Sequence, residues 1–140
     1  MSEPDCVFCK IVAGQIPALK VFENDLCLAF LDIGPLAEGH VLVVPKQHYA
    51  QISDMPPQAV AAVTSQLPRL VQAVVQATNA EGCNILQNNG PVSGQAVMHV
   101  HFHIIPRRQG DGLGYRWNAG KYPEGRAQQV QQALLHALKS

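Results

Sequence analysis

The sequence predicts an α+β domain. Three observations carry this: short strand-like runs in the first half, an amphipathic helical stretch after them, and a second strand pair followed by another helical stretch. Val21-Phe22-Glu23, the turn residues Asn24-Asp25, and then Cys27-Leu28-Ala29-Phe30-Leu31 read as two strands around a turn. Asp32-Ile33-Gly34-Pro35 ends the second strand with turn formers. Val41-Leu42-Val43-Val44 is a continuous apolar run stopped by Pro45, the pattern of a central strand buried on both faces. From about Pro57 to Thr78, Val60, Val63, Leu67, Leu70, Val71 and Val74 fall at helical spacing, and Pro68 should kink or interrupt that helix. Gly82 is the expected residue just past its C-cap. Cys83–Gln87 reads as a strand, and Asn88–Gly94 as a polar, glycine-containing loop. His99–Ile105 alternates and ends at Pro106. A last helix from about Pro123 to Leu138 carries Val130, Leu134, Leu135 and Leu138 on one side.

A chain of 140 residues fits a single domain that needs no disulfides to fold. Its formal net charge of zero gives no general basic field for nucleic acid or a membrane surface, so any phosphate recognition has to come from a few placed donors. No run approaches the roughly 20 apolar residues that span a bilayer. The acidic start, Met1-Ser2-Glu3-Pro4-Asp5, lacks a signal-peptide core, and the expectation is a cytoplasmic address. In a reducing compartment Cys6, Cys9, Cys27 and Cys83 read as metal ligands or small buried hydrophobes.

The chemistry concentrates in His99-Val100-His101-Phe102-His103-Ile104-Ile105. Strand alternation puts the three imidazoles on one face and Val100, Phe102 and Ile104 on the other. A neutral imidazole is nucleophilic near pH 7, and one ring nitrogen tied to a carbonyl leaves the other as a lone-pair donor able to attack phosphorus. The same row suits a divalent metal. These seven residues leave both readings open. The loop Asn88-Asn89-Gly90-Pro91-Val92-Ser93-Gly94-Gln95, with glycines that let main-chain N–H groups approach an anion, makes a phosphate cradle reasonable.

His-Val-His-Phe-His-Ile-Ile resembles the defining motif of the histidine triad (HIT) family. The resemblance extends in order through Cys6–Ile11, Phe30–Ile33, Gly39–Lys46, Asn88–Gly90 and Gly94-Gln95. It implies a single HIT domain over 1–140, with a triad core at about 6–107 and a helical C-terminal extension at about 108–140. The implied fold is a five-stranded antiparallel sheet with two helices, the sheet continued across a homodimer. The implied activity is that of a hydrolase or transferase acting on a purine nucleotide, such as an AMP or GMP derivative, at its α-phosphorus. A diadenosine polyphosphate hydrolase and a nucleotide- or zinc-binding regulatory protein with little turnover are the alternatives.

Carried over by residue, the resemblance makes His101 the nucleophile that becomes nucleotidylated. His103 then contacts the phosphate, and Gln95, with Asn88 and Gly94, lines its oxygens. Asp32 accepts from the ribose hydroxyls, and Phe8, Ile11, Phe30 and Ile33 form an apolar slot for the purine. Core packing is the competing reading of those last four. In one branch of the family a structural zinc is held by the residues corresponding to Cys6, Cys9, His48 and His99, which leaves His40 as a structural residue at the head of its strand. Ala96 departs from the Ser or Thr that many phosphoramidases of the family carry, which removes a hydroxyl able to assist a leaving amine. Arg107 and Arg108 suit extra phosphates by charge, with surface arginines as the competing reading. Tyr115, Trp117 and Lys121 are read as solvent-facing loop.

Overall fold

The computed structural model describes residues 2–114 and 119–139. Strands β1 (Lys20–Glu23), β2 (Cys27–Leu31), β3 (Val41–Pro45), β4 (Gly82–Gln87) and β5 (Phe102–Arg107) form one sheet in the order β1-β2-β3-β5-β4, with every neighbouring pair antiparallel. Helix α1 spans Val7–Val12, α2 Pro57–Thr64, α3 Leu67–Thr78 and α4 Arg126–Leu138.

The central run behaves as its apolar pattern requires. All five residues of β3 are buried, and successive side chains enter different cores. Val41 and Val43 join Cys27, Ala29, Val63, Leu70, Val74, Val100, Phe102 and Ile104 under α2 and α3. Leu42 and Val44 join Leu28, Phe30, Phe8 and Ile11 on the opposite face, under α1. Burying each such large side chain contributes roughly 1.5–3 kcal/mol. The sheet is thus a partition, with α2 and α3 on one side and the histidine-bearing face, with α1, on the other.

Three expectations need correction. The helix expected over 57–78 is two, and the break falls at Ser65-Gln66, before Pro68 rather than at it. Pro68 sits in the first turn of α3, where a missing N–H costs no hydrogen bond. Asn79, not Gly82, takes the left-handed turn that ends α3, at φ 55°, and Gly82 opens β4. The β5 ladder begins at Phe102, so only His103 of the three histidines lies inside a strand. The alternation nevertheless holds, because the Val100 N–H donates to the Tyr49 carbonyl at 2.8 Å and carries extended chain back towards His99. Helix α1 was not legible beforehand.

The two sheet edges differ. β1 carries Lys20 and Glu23 and an irregular register between Lys20 and Phe22, devices that blunt an edge. β4, Gly-Cys-Asn-Ile-Leu-Gln, has no charge, and Ile85 is exposed on it. Helix α4 has no buried residue: Leu134, Leu135 and Leu138 of its apolar side are exposed.

Candidate functional site

Two groups of side chains meet on the α1 face. In the first, Cys6 Sγ lies 3.3 Å from His99 Nδ1, Cys9 Sγ lies 3.4 Å from His48 Nδ1 and 3.5 Å from His99 Nδ1, and the two imidazole Nδ1 atoms are 3.2 Å apart. All four donor atoms fall within 4.8 Å of one another. A tetrahedral ion bound at about 2.0–2.3 Å demands ligand separations of roughly 3.3–3.8 Å, so these four fit a metal ion. His99 is prepared for it. Its Nε2–H donates to the Pro45 carbonyl at 2.8 Å, leaving the Nδ1 lone pair facing the sulfurs. Burial pushes its pKa down to about 4, which keeps the ring neutral. The main-chain N–H of Cys9 donates to Cys6 Sγ and that of Glu3 to Cys9 Sγ, each at 3.4 Å, contacts that favour a ligating sulfur.

The second group holds Asp32, His40, His101 and His103. The His101 Nδ1–H donates to the His99 carbonyl at 2.7 Å, which leaves its Nε2 as a lone-pair donor. For His103 the tautomer is settled one residue further back. The Leu36 N–H donates to His40 Nδ1 at 3.0 Å, so the His40 proton sits on Nε2. That Nε2–H donates to His103 Nδ1 at 2.9 Å, so the His103 proton sits on its own Nε2. Burial, reinforced by its histidine neighbours, holds the His103 pKa at about 4. Burial likewise lowers that of His40. Both rings are neutral near pH 7, as the relay needs. The His101 and His103 ring centres are 4.9 Å apart, so a lone pair and an N–H donor stand side by side.

The sheet register explains why these residues meet. Phe30 pairs with Leu42, Leu42 with His103, and His103 with Leu86, one row across four strands. Asp32 follows from the Phe30 strand, and its N–H donates to the His40 carbonyl at 2.9 Å. Its Oδ1 accepts from Gly34 N–H at 2.8 Å, and its Oδ2 stands 3.6 Å from His40 Nε2.

Phe8, Ile11 and Phe30 come together as well-buried members of the α1-side core. Ile33, 98% exposed, stands on the surface next to Asp32 in the chain. Gln95 is buried, and its amide is engaged by backbone: Nε2 donates to the Ala50 and Val97 carbonyls, and Oε1 accepts from Gly90 N–H. It braces the loop before the triad. Gly94 has φ 105° and lies against Asn88, where a Cβ would meet Nδ2 at 3.4 Å, so a side chain there would strain both. Ala96 lines a cavity of about 410 Å³ with Cys6, Val7, His48, Val97, Met98, Glu3 and Asp5.

Both arginines after the triad have partners within the protein. The Arg107 guanidinium donates to Asp111, Asn84 and the Leu113 carbonyl, and Arg108 donates to the Thr78 and Asn79 carbonyls at the end of α3. The Arg107 guanidinium holds the Asp111 carboxyl well below the usual carboxylate range. Lys121 is exposed, and Tyr115 and Trp117 lie outside the described residues. Sequence reading missed the part His40 plays in setting the His103 tautomer. The available signal was a single polar residue at the head of an otherwise apolar strand.

The HIT domain model matches residues 13–110. The chain belongs to the HIT family. It is 49% identical over 109 residues to the adenylylsulfatase HINT3 of Arabidopsis thaliana, a match covering 78% of this chain and 55% of that longer protein. It is also 49% identical over 113 residues to the adenosine 5'-monophosphoramidase hnt1 of Schizosaccharomyces pombe, covering 80% and 82%. Among solved structures, the Streptococcus mutans UA159 protein SMU.412c superposes with a TM-score of 0.94 at 38% identity, covering 98% of this chain and 87% of that one. A zinc-bound histidine triad family protein from Mycobacterium smegmatis superposes at 0.75 with 38% identity, covering 96% and 97%. As in the sequence reading, the described residues of this HIT chain form a sheet of five antiparallel strands, with α2–α3 and α4 as the larger helical elements among them. Among the described residues, no helix is long and apolar enough to cross a membrane.

Proposed function

We propose that this HIT protein hydrolyses purine nucleotide derivatives at the α-phosphorus through a nucleotidyl-histidine intermediate, releasing a nucleoside monophosphate. The observation that carries the reading is the pair of opposed tautomers, a bare Nε2 on His101 beside an N–H on His103. The His101 Nε2 lone pair attacks phosphorus, a phosphorus–nitrogen bond forms, and the bond to the leaving group breaks with its electron pair on that group. Water then attacks the same phosphorus and loses a proton to solvent as the phosphorus–nitrogen bond breaks and its pair returns to Nε2, while the departed group takes up a proton from solvent. The His103 Nε2–H donates to a phosphate oxygen as charge builds on it. Asn88 and Gly94 line the phosphate side, shaped by the loop that Gln95 braces. Asp32 accepts from the ribose diol, and the base lies over Ile33 and the edge of the Phe8, Ile11 and Phe30 cluster. The names of the two relatives, a phosphoramidase and an adenylylsulfatase, support substrates whose leaving group is small. The engagement of Arg107 and Arg108 elsewhere favours these over diadenosine polyphosphates.

The test is turnover of adenosine phosphoramidate and of diadenosine polyphosphates by wild type and His101→Asn. The substitution is expected to lower turnover by at least about three orders of magnitude, as loss of a nucleophile does. Activity surviving in His101→Asn would falsify the covalent route, and AMP binding without any turnover would favour a regulatory protein.

The metal reading is structural zinc at Cys6, Cys9, His48 and His99, supported by the donor set and the zinc-bound neighbour. Bound there, zinc would tie the N-terminal segment to the triad segment. The contrast with β1 supports a homodimer joined through the uncharged β4 edge. Helix α4, which has no charged residue between Arg126 and His136, would gain cover in such an assembly. Light scattering is expected to show a dimer for wild type and a monomer for Ile85→Lys.

A further inference from the structure

Helix α1 is a single short element between the two groups of the site. Six residues are too few to hold a helix in water, so it depends on what it is fastened to. It is fastened at Cys6, the N-cap whose Sγ accepts from Cys9 N–H, and at Cys9, and both sulfurs belong to the metal-fitting group. Between them projects Phe8, 6% exposed. Its ring stands edge-to-face on three others: His99 with centres 5.8 Å apart, His101 at 5.1 Å and Phe30 at 5.6 Å. So one ring contacts both a residue of the metal-fitting group and the nucleophile. The second link runs through the main chain, from the His99 carbonyl to His101 Nδ1–H.

An imidazole with a single hydrogen bond can still swing about that bond. A ring packed against its face or edge removes the remaining freedom, and a small misplacement of a nucleophile lowers its rate steeply. Phe8 is well buried, and its contact with His101 is direct. We propose that Phe8 is a positioning residue for the nucleophile, held in place by the Cys6, Cys9, His48 and His99 group, so that filling that group aligns His101. The inference rests on the reading of His101 as nucleophile and of the four side chains as zinc ligands.

The test uses the full-length zinc-loaded protein. Phe8→Leu, which keeps an apolar side chain but removes the ring, is expected to retain about one equivalent of zinc. Measured at saturating nucleotide, so that any loss of AMP affinity from the base slot does not enter, single-turnover nucleotidylation of His101 should slow by at least about tenfold. At pH 8, long-range proton–nitrogen NMR of the His101 ring should show one tautomer in wild type and a mixture in the variant. Val12→Ala, a loss on the same helix, should keep the wild-type rate and the single tautomer. Wild type stripped with a chelator, held folded as judged by circular dichroism, should reproduce the Phe8→Leu signature, and this arm decides if the variant does not fold. A Phe8→Leu rate at saturating nucleotide within about twofold of wild type overturns the proposal, whatever the change in AMP affinity. A stripped protein with wild-type rate and tautomer overturns the part played by the metal-fitting group. The underlying readings fail by different signs: turnover by His101→Asn, or protein that purifies without zinc and takes none up.

Discussion

The group around His99 and the group around His103 meet on one five-residue segment, His99–His103, yet they turn the same side chain to opposite uses. His99 commits Nε2–H to the Pro45 carbonyl and turns its Nδ1 lone pair towards two sulfurs and a second imidazole. His101 commits Nδ1–H to the His99 carbonyl and keeps Nε2 bare, while His103, fixed by His40, presents an N–H instead. The surroundings differ accordingly. The first group is closed around its own donors, a Cys₂His₂ set suited to a structural ion, whereas the second leaves two ring nitrogens uncommitted for a phosphate. An imidazole's role is therefore set by which nitrogen the backbone takes, and neighbouring residues can be given different roles by a change of carbonyl partner.

The sharpest way to break that contrast is to open the closed group. Cys9→Ser is expected to bring zinc below about half an equivalent and to cost several kcal/mol, lowering the Tm by roughly 10 °C. Metal analysis and thermal melts check this. An unchanged Tm with unchanged zinc would show that the sulfurs are merely core residues.

A smaller effect is expected from the relay. His40→Ala removes the group that fixes the His103 tautomer and leaves the Leu36 N–H without its acceptor. Turnover should fall by about 10- to 100-fold, the usual cost of losing a partner that orients a functional histidine, with zinc content unchanged. Steady-state kinetics and metal analysis of one preparation separate the two groups.

The smallest effect is a pH dependence. The His103 pKa is lowered from 6.5 to about 4 in the folded protein. Between those values the unfolded chain binds the extra proton, so stability is complete above about pH 6.5 and is lost as pH falls towards about 4. The slope from this residue should not exceed about 1.4 kcal/mol per pH unit, and His103→Asn should flatten it by that share. Denaturant unfolding at pH 7, 5.5 and 4.5 reads it. A slope identical in the variant would mean that His103 titrates as freely in the fold as outside it.

Much of this architecture was legible before any coordinates. Alternation fixed which face each triad residue takes, because a strand's side chains have period two whether or not its ladder is formed. The continuous Val41–Val44 run identified the strand shared by both cores. Spacing could not locate α1, which is too short to show a helical period and owes its shape to Cys6 and the partners of Cys9. Nor could it place the helix break at Ser65-Gln66, since a proline marks where a helix can begin as readily as where it ends.

By itself, then, the sequence determined the supply of chemistry: three alternating imidazoles, a cysteine pair, a polar, glycine-containing loop before the imidazoles, and the α+β sheet that carries them. The tertiary structure decided how that chemistry is shared out. Carbonyls from Pro45 and His99, an N–H from Leu36 and the ring of His40 select the free nitrogen on each histidine, and arginines that looked free turn out to be tied to Asp111, Asn84 and the end of α3. The physical reason is that a tautomer depends on a hydrogen bond no longer than 3.0 Å between groups up to 63 residues apart, and local residue order carries no such distance.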